Sequence, residues 1–171
     1  MSKTLKSTLY LGVLIVAIGC SGGSSGGNGP ANTPAPAAQN PTTNLTVESV
    51  TNTGQVNVPI KLTSNDSPVG VQFDLRFDSS KLTFDRIVTG PAATAAAKTA
   101  QPRVQPNGDI RVLIIGLNPN TIGDGTVAEA IFTTTGNSGE TAAVELIEVK
   151  VSDADAQAVA STKTDGVVTI Q

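Results

Sequence analysis

Histidine is missing from all 171 residues, tryptophan is missing, and cysteine occurs once. Without histidine there is no serine–histidine or cysteine–histidine nucleophile and no imidazole metal ligand. A lone cysteine forms no internal disulfide, so packing has to hold the fold. Aromatic side chains number five: Tyr10, Phe73, Phe77, Phe84 and Phe132. The four phenylalanines fall in strand-like stretches where burial is the default. That leaves no flat aromatic surface of the kind that stacks on sugars. Basic residues are also few, 11 against 14 acidic ones. Nucleic-acid binding needs a basic stripe and anionic lipid needs a polybasic patch; this chain has neither.

The one cysteine, Cys20, closes a short apolar run, Leu11 to Gly19, that follows Lys3 and Lys6. The run is too short to cross about 30 Å of hydrocarbon as a helix. A basic start, a short apolar stretch and small residues at a cut point describe a secretory signal peptide over residues 1–19. Ala17-Ile18-Gly19-Cys20 resembles the bacterial lipobox. The resemblance implies cleavage before Cys20 and a diacylglycerol on its sulfur. No cofactor is expected beyond that covalent lipid. One acyl chain holds a protein to a membrane only marginally, and two or three hold it firmly. Ser21 follows, where an aspartate would favour retention at the inner membrane of two-membrane bacteria, so the expected location is the outer membrane or cell surface. From Cys20 onward nine basic residues face fourteen acidic ones, a net charge of −5.

Residues 21–44 contain only Gly, Ser, Asn, Pro, Ala, Thr and one Gln. They have no hydrophobic period and read, with Cys20, as a linker over residues 20–44. As a coil its reach is about 25–30 Å, and fully stretched about 80 Å.

Residues 45–171 are expected to form one domain. Its period is two. Val56, Val58, Ile60 and Leu62 alternate with polar residues, with Pro59 marking an edge strand or a bulge. In Val71–Phe77 the apolar set faces a core while Gln72, Asp74 and Arg76 face out. Leu45–Val50, Leu82–Val88, Arg103–Gln105, Thr126–Thr134, Val144–Val151 and Gly166–Ile170 are further strands. The apolar phase of Val144–Val151 changes between Leu146 and Ile147, which predicts a bulge there. Pro91–Ala100 is expected to be a loop with one helical turn, since ten alanine-rich residues are marginal alone. Ile110–Ile115 is apolar on both faces except at Arg111. That suits a strand covered on both sides, and equally one whose outer face meets a partner. About nine short strands separated by turns give an all-β sandwich or jelly roll.

Several chemical constellations fail on inspection. Asp153 and Asp155 suggest a calcium loop, but Gln157 and Ala158 stand at its fifth and sixth positions and Thr164 at its close. Glu145 and Glu148 could be a glycosidase pair only if a cleft united them. Gly123-Asp124-Gly125 is a turn, lacking the spacing of a phosphate cradle. No catalytic or metal residue is assigned, and an enzyme is not expected.

Three stretches together resemble a cohesin domain. They are Val69–Leu82; Gly108-Asp109-Ile110-Arg111-Val112 with Gly123–Ala128; and Val144–Ala154 with Asp165–Ile170. The resemblance spans about residues 44–171. It implies a nine-stranded jelly roll, similar to carbohydrate-binding-module sandwiches. It also implies a non-catalytic role: one flat sheet face docks a dockerin, a small helical module with two calcium loops on secreted enzymes of polysaccharide degradation. Carried onto this chain, the face includes Gln72, Gln105 and a residue of Ile110–Ile115. Asp74 and Arg111 join it as outward polar residues, and Leu113 or Ile114 supplies its apolar centre, depending on strand phase. The alternatives are direct polysaccharide binding and a structural envelope lipoprotein.

Overall fold

In the computed structural model, which describes residues 43–171, twelve strands and one short helix follow the turn signals of the sequence. The strands are β1 (Thr43–Val47), β2 (Val50–Asn52), β3 (Gln55–Thr63), β4 (Gly70–Phe77), β5 (Leu82–Thr89), β6 (Thr99–Val104), β7 (Ile110–Ile115), β8 (Gly125–Thr134), β9 (Thr141–Ser152), β10 (Ala158–Val159), β11 (Ser161–Thr164) and β12 (Gly166–Ile170). The helix, α1 (Pro91–Ala95), lies between β5 and β6. The expected signal peptide, Cys20 and nearly all of the expected linker lie outside the described residues.

Two sheets stack face to face. One has five strands in the order β11-β1-β3-β8-β5; the other has seven, in the order β2-β12-β9-β4-β7-β6, with β10 pairing with β9 off that path. The period-two residues fill the space between them. Val56, Val58, Ile60 and Leu62 of β3 are at most 1% exposed, and Phe73 and Leu75 of β4 are fully buried opposite. Burying each such side chain contributes about 1.5–3 kcal/mol. Phe77 and Phe84 cluster on Phe132, with ring centroids 5.1 and 5.9 Å away, so all four phenylalanines are spent on the core.

Twelve strands replace the nine expected, for local reasons. The Leu45–Val50 strand is two strands, because the chain changes sheets at Glu48-Ser49. Pro59 accepts a hydrogen bond from the Glu48 amide at 2.9 Å but has no N–H to return, and the β1–β3 ladder stops there. Pro59 therefore sits in an interior strand, with a register shift one residue later opposite β8, rather than at an edge. The other additions are short: β10 is only Ala-Val and β11 is wholly polar, and backbone pairing defines them, β10 with β9 and β11 parallel to β1. Two residues of the expected linker, Thr43 and Asn44, are described, and both lie in β1. Thr43 already belongs to β1, is fully buried, and donates its hydroxyl to Asp66 Oδ2 at 2.8 Å.

The expected helical turn is α1, with Pro91 at its start and Ala93 fully buried. Gly90 precedes it because nothing larger fits. A Cβ there would lie 2.2 Å from the carbonyl oxygen of Thr126. The close approach lets the Gly90 amide bond the Val127 carbonyl at 3.0 Å, seating α1 against β8.

Candidate partner-binding face

The outward surface of the seven-stranded sheet is built from cross-strand rows over β6, β7, β4 and β9. Residues paired across antiparallel strands share a face. One row reads Arg103, Arg111, Asp74, Ile147; the next reads Gln101, Leu113, Gln72, Lys150. Arg76 and Glu145 pair in the adjoining row.

Phase on β7 is fixed by charge. Arg111 must reach water and its counter-ion, so Leu113 and Ile115 follow it outward while Ile110, Val112 and Ile114 turn into the core. Ile114 is fully buried and pairs with inward Val71. It cannot supply the face's apolar centre; Leu113, half-buried, does so, with Ile115 41% exposed beside it. The strand is covered on one side only.

Of the three guanidiniums on this face, those of Arg76 and Arg111 are each clamped by a buried aspartate. Arg111 donates from Nε and Nη2 to Asp74 Oδ1 and Oδ2, both at 2.7 Å. Arg76 donates likewise to Asp109 at 3.1 and 3.0 Å. Bidentate pairs of this kind fix direction as well as charge. The hydrogen bond from Arg76 holds the Asp109 carboxyl below the usual aspartate range, against the opposing effect of its burial, with help from Asn107 Nδ2 at 2.8 Å. The same bonds raise both arginines above their ordinary value. Glu148 adds a looser contact to Arg111 at 3.8 Å.

Glu148 reaches that point through a bulge. Gln72 pairs with Lys150 but Asp74 pairs with Ile147, so Glu148 and Val149 together oppose Phe73. Glu148 has φ +52°, a left-handed conformation that L residues disfavour. The bulge lies two residues beyond the expected position. Ile147 continues the outward phase of Glu145, and the slip follows it.

Of the residues singled out from sequence, Gln72, Asp74, Arg111 and Leu113 come together. Gln105 sits at the rim, in the turn after β6, its amide donating to the Asp109 carbonyl at 2.8 Å. It lines a polar hollow with Asp74, Arg76 and Arg111. At the other end of the face, Gln72, Leu113, Ile115, Val149 and Val159 line an open, mostly apolar groove of about 430 Å³. Gly70 opens this end: a Cβ there would meet Ser152 Oγ at 2.9 Å. Sequence reasoning missed Ile147, Glu148, Lys150, Gln101 and Arg103. Placing the bulge correctly would have exposed the first three. Arg103 lay within the expected strand, two residues from Gln105 and therefore in its phase, and Gln101 required reading β6 back to Thr99, past Pro102.

The loop after β7 carries Leu117, wholly exposed. The loop is firmly held: Lys98 Nζ donates to the Asn118 carbonyl at 2.6 Å, Asn118 Nδ2 to the Ala97 carbonyl at 3.0 Å, and Ile122 is buried. The Asp153–Asp155 segment is a local turn, in which Asp153 Oδ1 accepts from the amides of Asp155 and Gln157.

The family model described as a cohesin domain matches residues 41–170. Among solved structures, the chain is similar to the sixth cohesin of scaffoldin B from Acetivibrio cellulolyticus, determined in complex with a dockerin. Identity is 23% and the TM-score 0.67, over 75% of this chain and 99% of that one. A non-cellulosomal cohesin from the archaeon Archaeoglobus fulgidus has 20% identity and a TM-score of 0.65, over 76% and 91%. A Clostridium thermocellum cohesin of OlpC, in complex with a dockerin, has 18% and 0.67, over 77% and 95%. No curated protein matches the chain. With three quarters of its length matched by the family model and the sandwich shared with these structures, the chain belongs to the cohesin family.

Proposed function

We propose that this chain is a membrane-anchored, non-catalytic cohesin that docks a dockerin-type helical module on the outward face of its seven-stranded sheet. The observation that carries the proposal is the face itself. Four adjacent strands present an open surface with Leu113 as its apolar centre, Ile147 on its β9 side, and two guanidiniums already held in place. A polar border around an apolar centre is the anatomy of protein–protein interfaces, and clamped side chains lose little freedom on binding. Family membership supports the same function, as do the relatives determined with dockerins.

The anchor is the lipid expected on Cys20, with the following residues as spacer. The described chain enters the domain at β1, in the five-stranded sheet. Held at a surface, the domain would concentrate whatever docks on it. Direct glycan binding is the weaker alternative, since the four phenylalanines all pack in or against the core.

The test is the double reversal Asp74→Arg with Arg111→Asp. It keeps an ion pair between β4 and β7 while inverting what a partner meets. Capture of calcium-loaded dockerin-type modules from the same genome should be abolished with the thermal melt preserved. Unchanged capture would remove this face from the account.

A further inference from the structure

Not every cation on the face is committed. Arg76 and Arg111 each own an aspartate, but Arg103 and Lys150 are exposed and have no carboxylate within ion-pair distance among the described residues. Arg103 directly opposes Arg111, whose charge is already taken by Asp74 and Glu148. Lys150 directly opposes Gln72, which is neutral. The two free cations stand on β6 and β9, at opposite margins of the four-strand surface and in adjacent rows. Three strand spacings across and two residues along separate them by about 16 Å.

Resting on the docking proposal above, we infer that the partner lies over the face as an α-helix crossing β6, β7, β4 and β9, with two acidic side chains about eleven positions apart, one for Arg103 and one for Lys150. Eleven residues advance a helix by about 16.5 Å and close to three whole turns, so both acids point at the sheet. A residue four positions after the acid that meets Arg103 would then lie between Arg111 and Leu113 and should carry an apolar stem. A residue seven positions after it would lie near Gln72 and should be small or polar. A strand added to the sheet edge cannot do this. It would run beside β6 and meet Arg103, but Lys150 lies about 14 Å further in.

The test uses a displayed library of two-helix calcium-loop modules with randomised exposed helix positions, selected on the immobilised full chain. The selected modules should carry Glu or Asp at the predicted spacing. Their affinity should fall on the order of a hundredfold for Arg103→Glu with Lys150→Glu, and should return when the two module acids are changed to lysine. The melting temperature should not fall, because Arg103→Glu places a carboxylate opposite Arg111. Modules that bind the unaltered chain and the double variant equally overturn this inference and leave the docking proposal standing. A library that yields no binder to the unaltered chain overturns both.

Discussion

Glu148 occupies a backbone conformation that costs an L residue about 1–2 kcal/mol, and its only ionic contact among the described residues is a 3.8 Å approach to Arg111. An exposed pair at that distance contributes little. Glu148→Gly should therefore stabilise the domain by up to about 1 kcal/mol in urea unfolding; a loss would show that the Arg111 contact outweighs the strain. Asp109 makes a pH prediction. Its folded pKa is depressed below the ordinary 3.8, mainly by the hydrogen bond from Arg76. The stability it adds is complete above that ordinary value and is lost as pH falls through the lower folded one. Asp109→Asn should flatten the acid limb of the stability profile. It should not remove it, because Asp78, hydrogen-bonded by Ser80, shifts in the same direction.

Between elements, close approach decides more than composition. Gly90→Ala pushes a methyl group into the Thr126 carbonyl and should destabilise by about 2–3 kcal/mol, read as a lower midpoint in denaturant; an unchanged midpoint would show that α1 does not seat against β8 as described. The elements most legible in the sequence are those whose period-two pattern has one buried face, β3 and β4 above all. The pattern of β4 places Gln72 and Asp74 outward without ambiguity, and half of the candidate face with them. The phase of β7 was not settled by pattern, since Ile110–Ile115 is apolar at five of six positions. It was settled by the clamp between Arg111 and Asp74, a contact between strands far apart in the sequence. The sheet change at Glu48-Ser49 and the polar strand β11 were illegible for a related reason: backbone partners define them, and side-chain periodicity carries no trace of those.

At the scale of the whole molecule, the two ends of the described chain meet. β1 runs parallel to β11 and β2 parallel to β12, so the N-terminal segment is paired into both sheets by the C-terminal one. The anchor proposal is independent of this fold. The processed protein should begin at Cys20 and carry the mass of a diacylglycerol, and intact-protein mass spectrometry showing an unmodified cysteine would remove the membrane from the account. The docking claim concerns one sheet and not the other. Its most direct test is chemical-shift mapping of the chain as a calcium-loaded dockerin-type module is added. The account predicts changes centred on Gln72, Asp74, Arg111, Leu113 and Lys150, with β3 and β8 unmoved; changes centred on β3 and β8 would contradict it.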